Sequence, residues 1–410
     1  MSLEVITFGC RLNAVDGETI RAHARGRDDL VVVNACAVTA EASRQARQAV
    51  RRAARARPHA EIVVTGCGAQ IEPAAFATMP EVSRVVGADL KLRPETWAAA
   101  PGRPRVEVGD VFEAAAPGPP PADAAIVTPR AFVAVQTGCD HRCTFCVIPF
   151  GRGASRSTPK ELVIAEVRRV LDLGAKEAVL TGVDLTAWGL DLGHGERLGD
   201  LVRAVLKAVP ELPRLRLSSL DAVEVDDALL AAFAEEERLA PHLHLSLQSG
   251  DDMILKRMKR RHSRADAVRF CEAVRRARPD VAFGCDVIAG FPTETDAMFE
   301  NTRAALEDCG VAYAHVFPFS ARPDTPAARM PQTPAEVVKA RAAALRRTGD
   351  DLLARHLAAH VGRNLSVLSE GRGLARAADF SLVRLRHDAL KGATLDVRVA
   401  GHDGRALVAA

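Results

Sequence analysis

Short runs of β-branched apolar residues alternate along this chain with stretches whose apolar positions recur every three to four residues. The first runs are LEVITF (3–8), LVVVN (30–34) and EIVVT (61–65), and the clearest helical stretch between them covers about 41–57. This βαβαβ order predicts a parallel sheet. Residues 113–125, EAAAPGPPPADAA, are rich in Pro and Ala and offer little to bury. That composition reads as a linker. An N-terminal α/β domain is therefore expected over 1–112 and a linker over 113–128.

The alternation resumes and lasts longer. Strands are expected at AFVAVQ (131–136), EAVLTG (177–182), RLRLSS (214–219), HLHLSL (242–247), VAFGCDVIAG (281–290) and AYAHVFPF (312–319), with helices between them such as 159–172 and 263–277. Six βα units fit a partial (βα)6 barrel better than a flat doubly wound sheet. With the long helix expected near 333–360, this second domain covers 129–360. The tail, 361–410, carries the short β-like runs NLSVLSE, FSLVRLR and TLDVRVA between turn residues, and reads as a small β domain. The fold class is α/β with a small C-terminal β domain.

Length agrees with this division. A chain of 410 residues holds two to three domains at roughly 150 residues each. Hydrophobic residues make up 48%, enough for a large core, which rules out wholesale disorder. Lys+Arg 55 against Asp+Glu 52 gives a net charge of +3, so any surface for nucleic acid has to be local. No apolar run approaches the ~18 residues of a spanning helix, so no membrane partner is expected. The opening MSLEVITFGC reads as a strand rather than a signal peptide. The expected location is cytoplasmic. Nine cysteines there are metal ligands, redox groups or buried thiols rather than disulfides.

Two cysteine triplets carry the chemistry. Cys139, Cys143 and Cys146 lie in GCDHRCTFCVIP, after the first barrel strand, where barrel enzymes place their active sites. Three thiolates within eight residues can wrap one iron–sulfur cluster. A 4Fe–4S cluster normally takes four cysteines, so three leave one iron open. Structural zinc is the alternative and needs a fourth ligand. His141 reads as an exposed loop residue. Cys10, Cys36 and Cys67 each follow a predicted strand, in VITFGC, VVVNAC and VVTGC. A parallel sheet brings strand C-termini to one edge, which gathers these three into a second such site. The alternative is three buried thiols. Cys271, Cys285 and Cys309 show no ligand spacing and read as buried thiols.

The CxxxCxxC spacing after the first strand of a partial barrel resembles the radical S-adenosylmethionine (AdoMet) superfamily. That resemblance implies AdoMet chelated at the open iron and cleaved by one electron to a 5′-deoxyadenosyl radical. TFGCRLN (7–13), NACAVTAEA (34–42), TGCGAQ (65–70), LTGVDLTAWG (180–189), LSLQSG and KRMKRRHSR resemble the methylthiotransferases. Within that group TFGCRLN, LSLQSG and KRMKRRHSR are most similar to the enzymes acting on carbon 2 of N6-threonylcarbamoyladenosine at position 37 of tRNA. The implied cofactors are two 4Fe–4S clusters, with AdoMet as methyl donor and radical source. The implied partners are a tRNA anticodon stem-loop and an external electron donor such as a flavodoxin. The tail then corresponds to a TRAM-like RNA-binding barrel.

An AdoMet pocket needs polar groups at strand ends. Thr181, Gly182 and Asp184 follow the second strand, Ser218 and Ser219 the third, and Gln248 the fourth. Each also reads as a cap or turn residue. The resemblance assigns TGVD to the AdoMet amino group, for which Asp184 is a suitable acceptor. Gly290 and Pro292 suit a close approach to the adenine, or a turn. Lys256, Arg257, Lys259, Arg260, Arg261 and Arg264 form a basic run without a carboxylate, as either a solvated face or an RNA contact. Arg44, Arg47, Arg51 and Arg55 at helical spacing pose the same choice. Arg152, Arg156 and Arg322 are candidates for the substrate carboxylate, because an arginine fork meets a carboxylate with two bonds. The rivals are methylthiolation of isopentenyladenosine or of a ribosomal protein and, outside enzymes, an iron–sulfur RNA-binding or electron-carrier protein.

Overall fold

The computed structural model describes residues 3–100, 102–114, 118, 121, 124 and 129–410. The expected linker 113–128 lies mostly outside them. By contact the chain divides into two units. One comprises Met1–Ile126, Ala134–Thr158 and Ser320–Ala328, the other Val127–Val133, Pro159–Phe319 and Arg329–Ala410. Chain order alone places 134–158 and 320–328 in the barrel domain, whereas contacts group them with the N-terminal sheet.

The first unit is built on five parallel strands in the order β1 (Glu4–Thr7), β2 (Leu30–Asn34), β3 (Glu61–Thr65), β4 (Arg84–Val86) and β5 (Val106–Glu107). Every residue of β2 is buried, as expected for a parallel strand covered on both faces. Val31, Val33 and Val64 pack against Ala46 and Val50 of the helix Ala40–Ala56. Leu30, Val32 and Val63 pack the other way, against Ile20 of the helix Arg11–His23 and Trp97. Thr39 caps the helix Ala40–Ala56, its Oγ1 accepting from the Ala42 amide at 3.1 Å. Thr7 pairs with Asn34 and Asn34 with Thr65, so β1, β2 and β3 end at one level.

The next strands are β6 (Arg130–Ala134), then β7 (Gln136–Thr137) and β8 (Arg156–Ser157), an antiparallel pair that closes the loop 138–155. In the second unit β6, β9 (Glu177–Thr181) and β10 (Arg214–Leu217) form one sheet. β11 (Ser219–Leu220), β12 (His242–Gln248), β13 (Ala282–Ala289) and β14 (Val311–Pro318) form a second. Only Ser218 separates β10 from β11. The pairs β9–β10, β11–β12, β12–β13 and β13–β14 are parallel. Helices connect the strands, as the alternation predicts, and the last helix covers Ala335–Ala358.

The tail is a closed barrel of β15 (Asn364–Gly371), β16 (Leu374–Ala377), β17 (Leu382–Arg384), β18 (Thr394–His402) and β19 (Leu407–Ala409). Its core of Val367, Ala375, Val383, Val399 and Leu407 includes Leu357 from the long helix. No described helix is long and apolar enough to cross a membrane.

Candidate functional site

The level ends of β1, β2 and β3 determine where the first cysteine triplet lies. Cys10 directly precedes the helix Arg11–His23, Cys36 follows β2, and Cys67 opens the short helix Cys67–Ile71. Cys36 and Cys67 are buried and Cys10 is exposed. Gly9 takes a left-handed φ of +93°, and a Cβ there would stand 2.6 Å from Cys36 Sγ. Chain and sulfur therefore approach closely only because residue 9 is glycine. Burial, and after it the nearby Cys67 and Cys10, push the Cys36 thiol up to about 11, although the Val38 amide works against them. Such a thiol keeps its proton until a metal replaces it.

Beside these sulfurs lies a buried polar network that sequence reasoning missed. Asp16 Oδ2 lies 2.6 Å from Lys91 Nζ and 2.9 Å from Arg152 Nη2. Arg152 Nη2 also donates to Asn13 Oδ1 at 2.7 Å, and Asn34 Nδ2 donates to Asn13 O at 2.9 Å. Burial opposes ionisation of Asp16, but Lys91 and Arg152 outweigh it and hold the carboxyl below its usual range. Burial likewise opposes the charge on Arg152, and Asp16, Cys67 and Cys10 outweigh it. Arg152 is thus close enough to two of the thiols to interact with them. Asn13 and Asp16 stand three and six residues after Cys10 on one helix, a spacing that could have exposed them. Lys91 carries no such signal.

The second triplet sits in the loop closed by β7 and β8. Gly138 has φ +73°, and a Cβ there would overlap Ala154 O at 1.8 Å. The Cys139 amide donates to Gly153 O at 3.1 Å and the Cys146 amide to Cys143 O at 3.1 Å. Asp140 Oδ1 accepts from the Ser155 amide at 3.0 Å. Cys139 is buried, while Cys143 and Cys146 are half-buried. His141 is half-buried rather than exposed.

Both triplets fit an iron–sulfur cluster. Each offers soft thiolate ligands from backbone held by close contacts. Around the first, Thr65 Oγ1 and Arg152 Nε are buried without a hydrogen-bond partner. Orphaned groups of this kind mark a place prepared for something further.

The three arginines expected at the substrate are engaged elsewhere. Arg152 serves Asp16, and Arg322 pairs with Glu72. Arg156 donates to Val111 O at 3.0 Å and Arg152 O at 2.8 Å. All three are drawn into the first unit, where they tie loops together.

In the second unit the strand-end residues fall into two groups. The Gly182 amide donates to Ser218 Oγ at 3.4 Å, joining the ends of β9 and β10. Thr181, Asp184 and Ser218 are buried. Thr186 Oγ1 lies 3.4 Å from Asp184 Oδ1 and 3.2 Å from Glu224 Oε2, adding a carboxylate that the sequence reading omitted. Ser219 pairs with His244 across β11 and β12. Gln248 has φ +64°, where the β12–β13 register shifts. A non-glycine residue held there is a strained position of the kind found at functional sites. Gly290 approaches helix rather than ligand: a Cβ there would lie 2.6 Å from Val338 Cγ2. His244, Asp286 and His315 meet across three adjacent strands, with Asp286 Oδ1 at 3.0 Å from His244 Nε2 and 3.4 Å from His315 Nδ1.

The basic run proves to be largely paired. Arg260 binds Asp221 at 2.7 Å and Ser246 O at 2.9 Å. Arg264 binds Asp308 at 2.6 Å, Arg257 donates to Thr293 Oγ1 at 2.8 Å, and Arg261 pairs with Glu224. The carboxylates missing from the run itself come from other elements. Lys256 and Lys259 remain exposed. On the helix Ala40–Ala56, Arg44 pairs with Glu41, while Arg51 and Arg55 are exposed. Cys271, Cys285 and Cys309 are fully buried, as expected.

The Radical SAM superfamily matches residues 133–306, and the family described as "Uncharacterized protein family UPF0004" matches residues 2–87. A threonylcarbamoyladenosine tRNA methylthiotransferase MtaB from Rickettsia prowazekii is 46% identical over 93% of this chain and 91% of its own length. The MtaB of Thermotoga maritima is 33% identical over 90% and 86%. A tRNA-2-methylthio-N(6)-dimethylallyladenosine synthase from Cereibacter sphaeroides is 38% identical over 90% and 88%. Among solved structures, the radical AdoMet methyltransferase TsrM of Kitasatospora setae aligns with a TM-score of 0.53 at 15% identity, covering 78% of this chain and 74% of that one. That likeness concerns the fold alone.

Proposed function

This chain belongs to the radical AdoMet tRNA methylthiotransferase family, and we propose that it methylthiolates carbon 2 of N6-threonylcarbamoyladenosine at position 37 of tRNA. The observation that carries the reading is the pair of three-cysteine sites in a chain 46% identical to the Rickettsia MtaB. Identity to the Cereibacter dimethylallyladenosine enzyme is lower, at 38%.

Two 4Fe–4S clusters are proposed, held by Cys10, Cys36 and Cys67 and by Cys139, Cys143 and Cys146. When bound, the latter supplies the electron that splits AdoMet to a carbon radical, and the former a place for the sulfur that is transferred. Bound there, one AdoMet would take up the carbon 2 hydrogen as 5′-deoxyadenosine and another would give the methyl of the incoming methylthio group, with the electron released as the carbon–sulfur bond forms returning to iron–sulfur. Thr181, Gly182, Asp184, Ser218, Ser219 and Gln248 are proposed to bind AdoMet. Among them Asp184 accepts from its ammonium group, and the Ser218 hydroxyl orients the Gly182 turn. Lys256 and Lys259 are the members of the basic run proposed to meet RNA phosphate. The proposed setting is the cytoplasm, with a flavodoxin-like electron donor.

The test uses chain reconstituted anaerobically with iron and sulfide, then given AdoMet, dithionite and an anticodon stem-loop RNA. Mass spectrometry of the digested RNA should find the methylthio derivative when the stem-loop carries threonylcarbamoyladenosine and little when it carries isopentenyladenosine. A site built to bind the polar threonylcarbamoyl group rejects the apolar analogue, which leaves the site's polar groups unpaired. AdoMet cleavage without modification of either RNA would overturn the proposal.

A further inference from the structure

The network at the ends of β1, β2 and β3 does not balance its charge. Lys91 and Arg152 each carry a positive charge, and both are directed to one oxygen of one carboxylate, Asp16 Oδ2, at 2.6 Å and 2.9 Å. Their other partners are neutral. Arg152 binds Asn13 Oδ1 and lies 3.4 Å from Thr137 Oγ1, and Lys91 Nζ lies 3.5 Å from the Oδ1 atoms of Asn13 and Asn34. All three charged residues are buried, with Lys91 1%, Asp16 5% and Arg152 7% exposed. One positive charge is left over in a place that water hardly reaches. A buried charge without a counter-charge is costly. The fold tolerates such a site when an anion belongs beside it.

The neighbouring residues identify that anion. Arg152 is close enough to Cys67 and Cys10 to interact with both, and its Nε is buried without a partner. A four-iron cluster held by three thiolates is a net anion, and it becomes more negative on reduction.

We infer that Lys91 and Arg152 are positioning residues that act by charge: together with Asp16 they leave one buried positive charge as counter-ion to the cluster at Cys10, Cys36 and Cys67, and so raise its reduction potential. The inference rests on the two-cluster reading above. It assigns Asp16 the opposite effect, because its carboxylate cancels half of the positive charge.

The test separates charge from damage by its sign. Full-length chain carrying C139A, C143A and C146A is reconstituted so that only the remaining cluster titrates, and its potential is followed by electron paramagnetic resonance. Lys91→Met still leaves Asp16 paired with Arg152, so no carboxylate is stranded. It should lower the potential by about 59 mV or more, the value of a tenfold change in a one-electron equilibrium. Asp16→Asn keeps both cations and should shift the potential upward by a similar amount. Iron content and circular dichroism should match the parent in both variants. Shifts of the same sign, or no shift in either, would overturn this inference alone. A triple-cysteine parent that takes up no iron would overturn both it and the two-cluster reading.

Discussion

His360 shows how one side chain couples pH to the docking of the C-terminal barrel. Its Nδ1 lies 3.0 Å from His356 O and its Nε2 3.0 Å from Asp379 Oδ2. Both nitrogens therefore act as donors, which makes the ring an imidazolium. The bond to Asp379 raises the His360 pKa above its ordinary value, against the lowering by burial and by Arg363. Burial would raise Asp379, but His356 and His360 together hold it far below the carboxylate range. Ser381 and Tyr313 complete the surroundings, with Tyr313 Oη 2.9 Å from Ser381 Oγ. A raised histidine pKa contributes stability that is complete below the unfolded value of about 6.5 and is lost as pH rises through the folded value. Asp379 contributes in the opposite sense, lost only in strong acid. Hydrogen exchange of β15–β19 should therefore quicken, beyond the intrinsic rate, as pH rises above about 6.5. His360→Ala should abolish that dependence and cost about 1.5–3 kcal/mol at the lower pH. A dependence unchanged by the substitution would contradict this account. Nothing in the sequence pointed to this contact, because Asp379 lies in a turn whose partner helix ends about twenty residues earlier. The six cysteines were legible for a different reason: ligand spacing and strand ends are properties of the local sequence. Asp16, Lys91 and Arg152 meet only in three dimensions.

Among the elements, the loop closed by β7 and β8 depends on one residue. Gly138→Ala would drive a methyl group into Ala154 O, at 1.8 Å from an ideal Cβ, besides straining a φ of +73°. Such a variant should lose about four of the expected eight irons while keeping the far-ultraviolet circular dichroism of the parent. Full iron content would show that this loop does not hold a cluster. The basic run calls for a different expectation from the one its composition gives. Arg260 is committed to Asp221, whereas Lys256 and Lys259 are exposed. Replacing both lysines with Ala should weaken tRNA binding and reduce its salt slope by about one unit per lost phosphate contact. An unchanged slope would return the run to a solvated face. The long strands of the second unit were readable from hydrophobic alternation, as was the helix Ala40–Ala56. β4, β5, β16 and β19, of two to four residues, are too short to display a period and escaped it. The pairing of the basic run was hidden because Asp221, Glu224 and Asp308 lie on other elements.

At the scale of the whole molecule, composition and βα order indicated the α/β class, the parallel strands of the second unit and the small C-terminal β domain, whereas the single partial barrel expected from six βα units is divided into two parallel sheets. Composition and order did not show that the loop 134–158, which bears one cysteine triplet, groups by contact with the N-terminal sheet, which bears the other. Contacts between distant segments leave no trace in chain order. Addition of the methylthio group to threonylcarbamoyladenosine in tRNA is what the two sites together are proposed to accomplish. It is tested most directly by mass spectrometry of tRNA nucleosides from cells lacking this chain, compared with cells in which it is restored. The methylthio form of threonylcarbamoyladenosine should disappear and return on restoration, while the unmodified precursor accumulates and the methylthio form of isopentenyladenosine is unchanged. Loss of the isopentenyl derivative instead, or tRNA with no change at all, would contradict it.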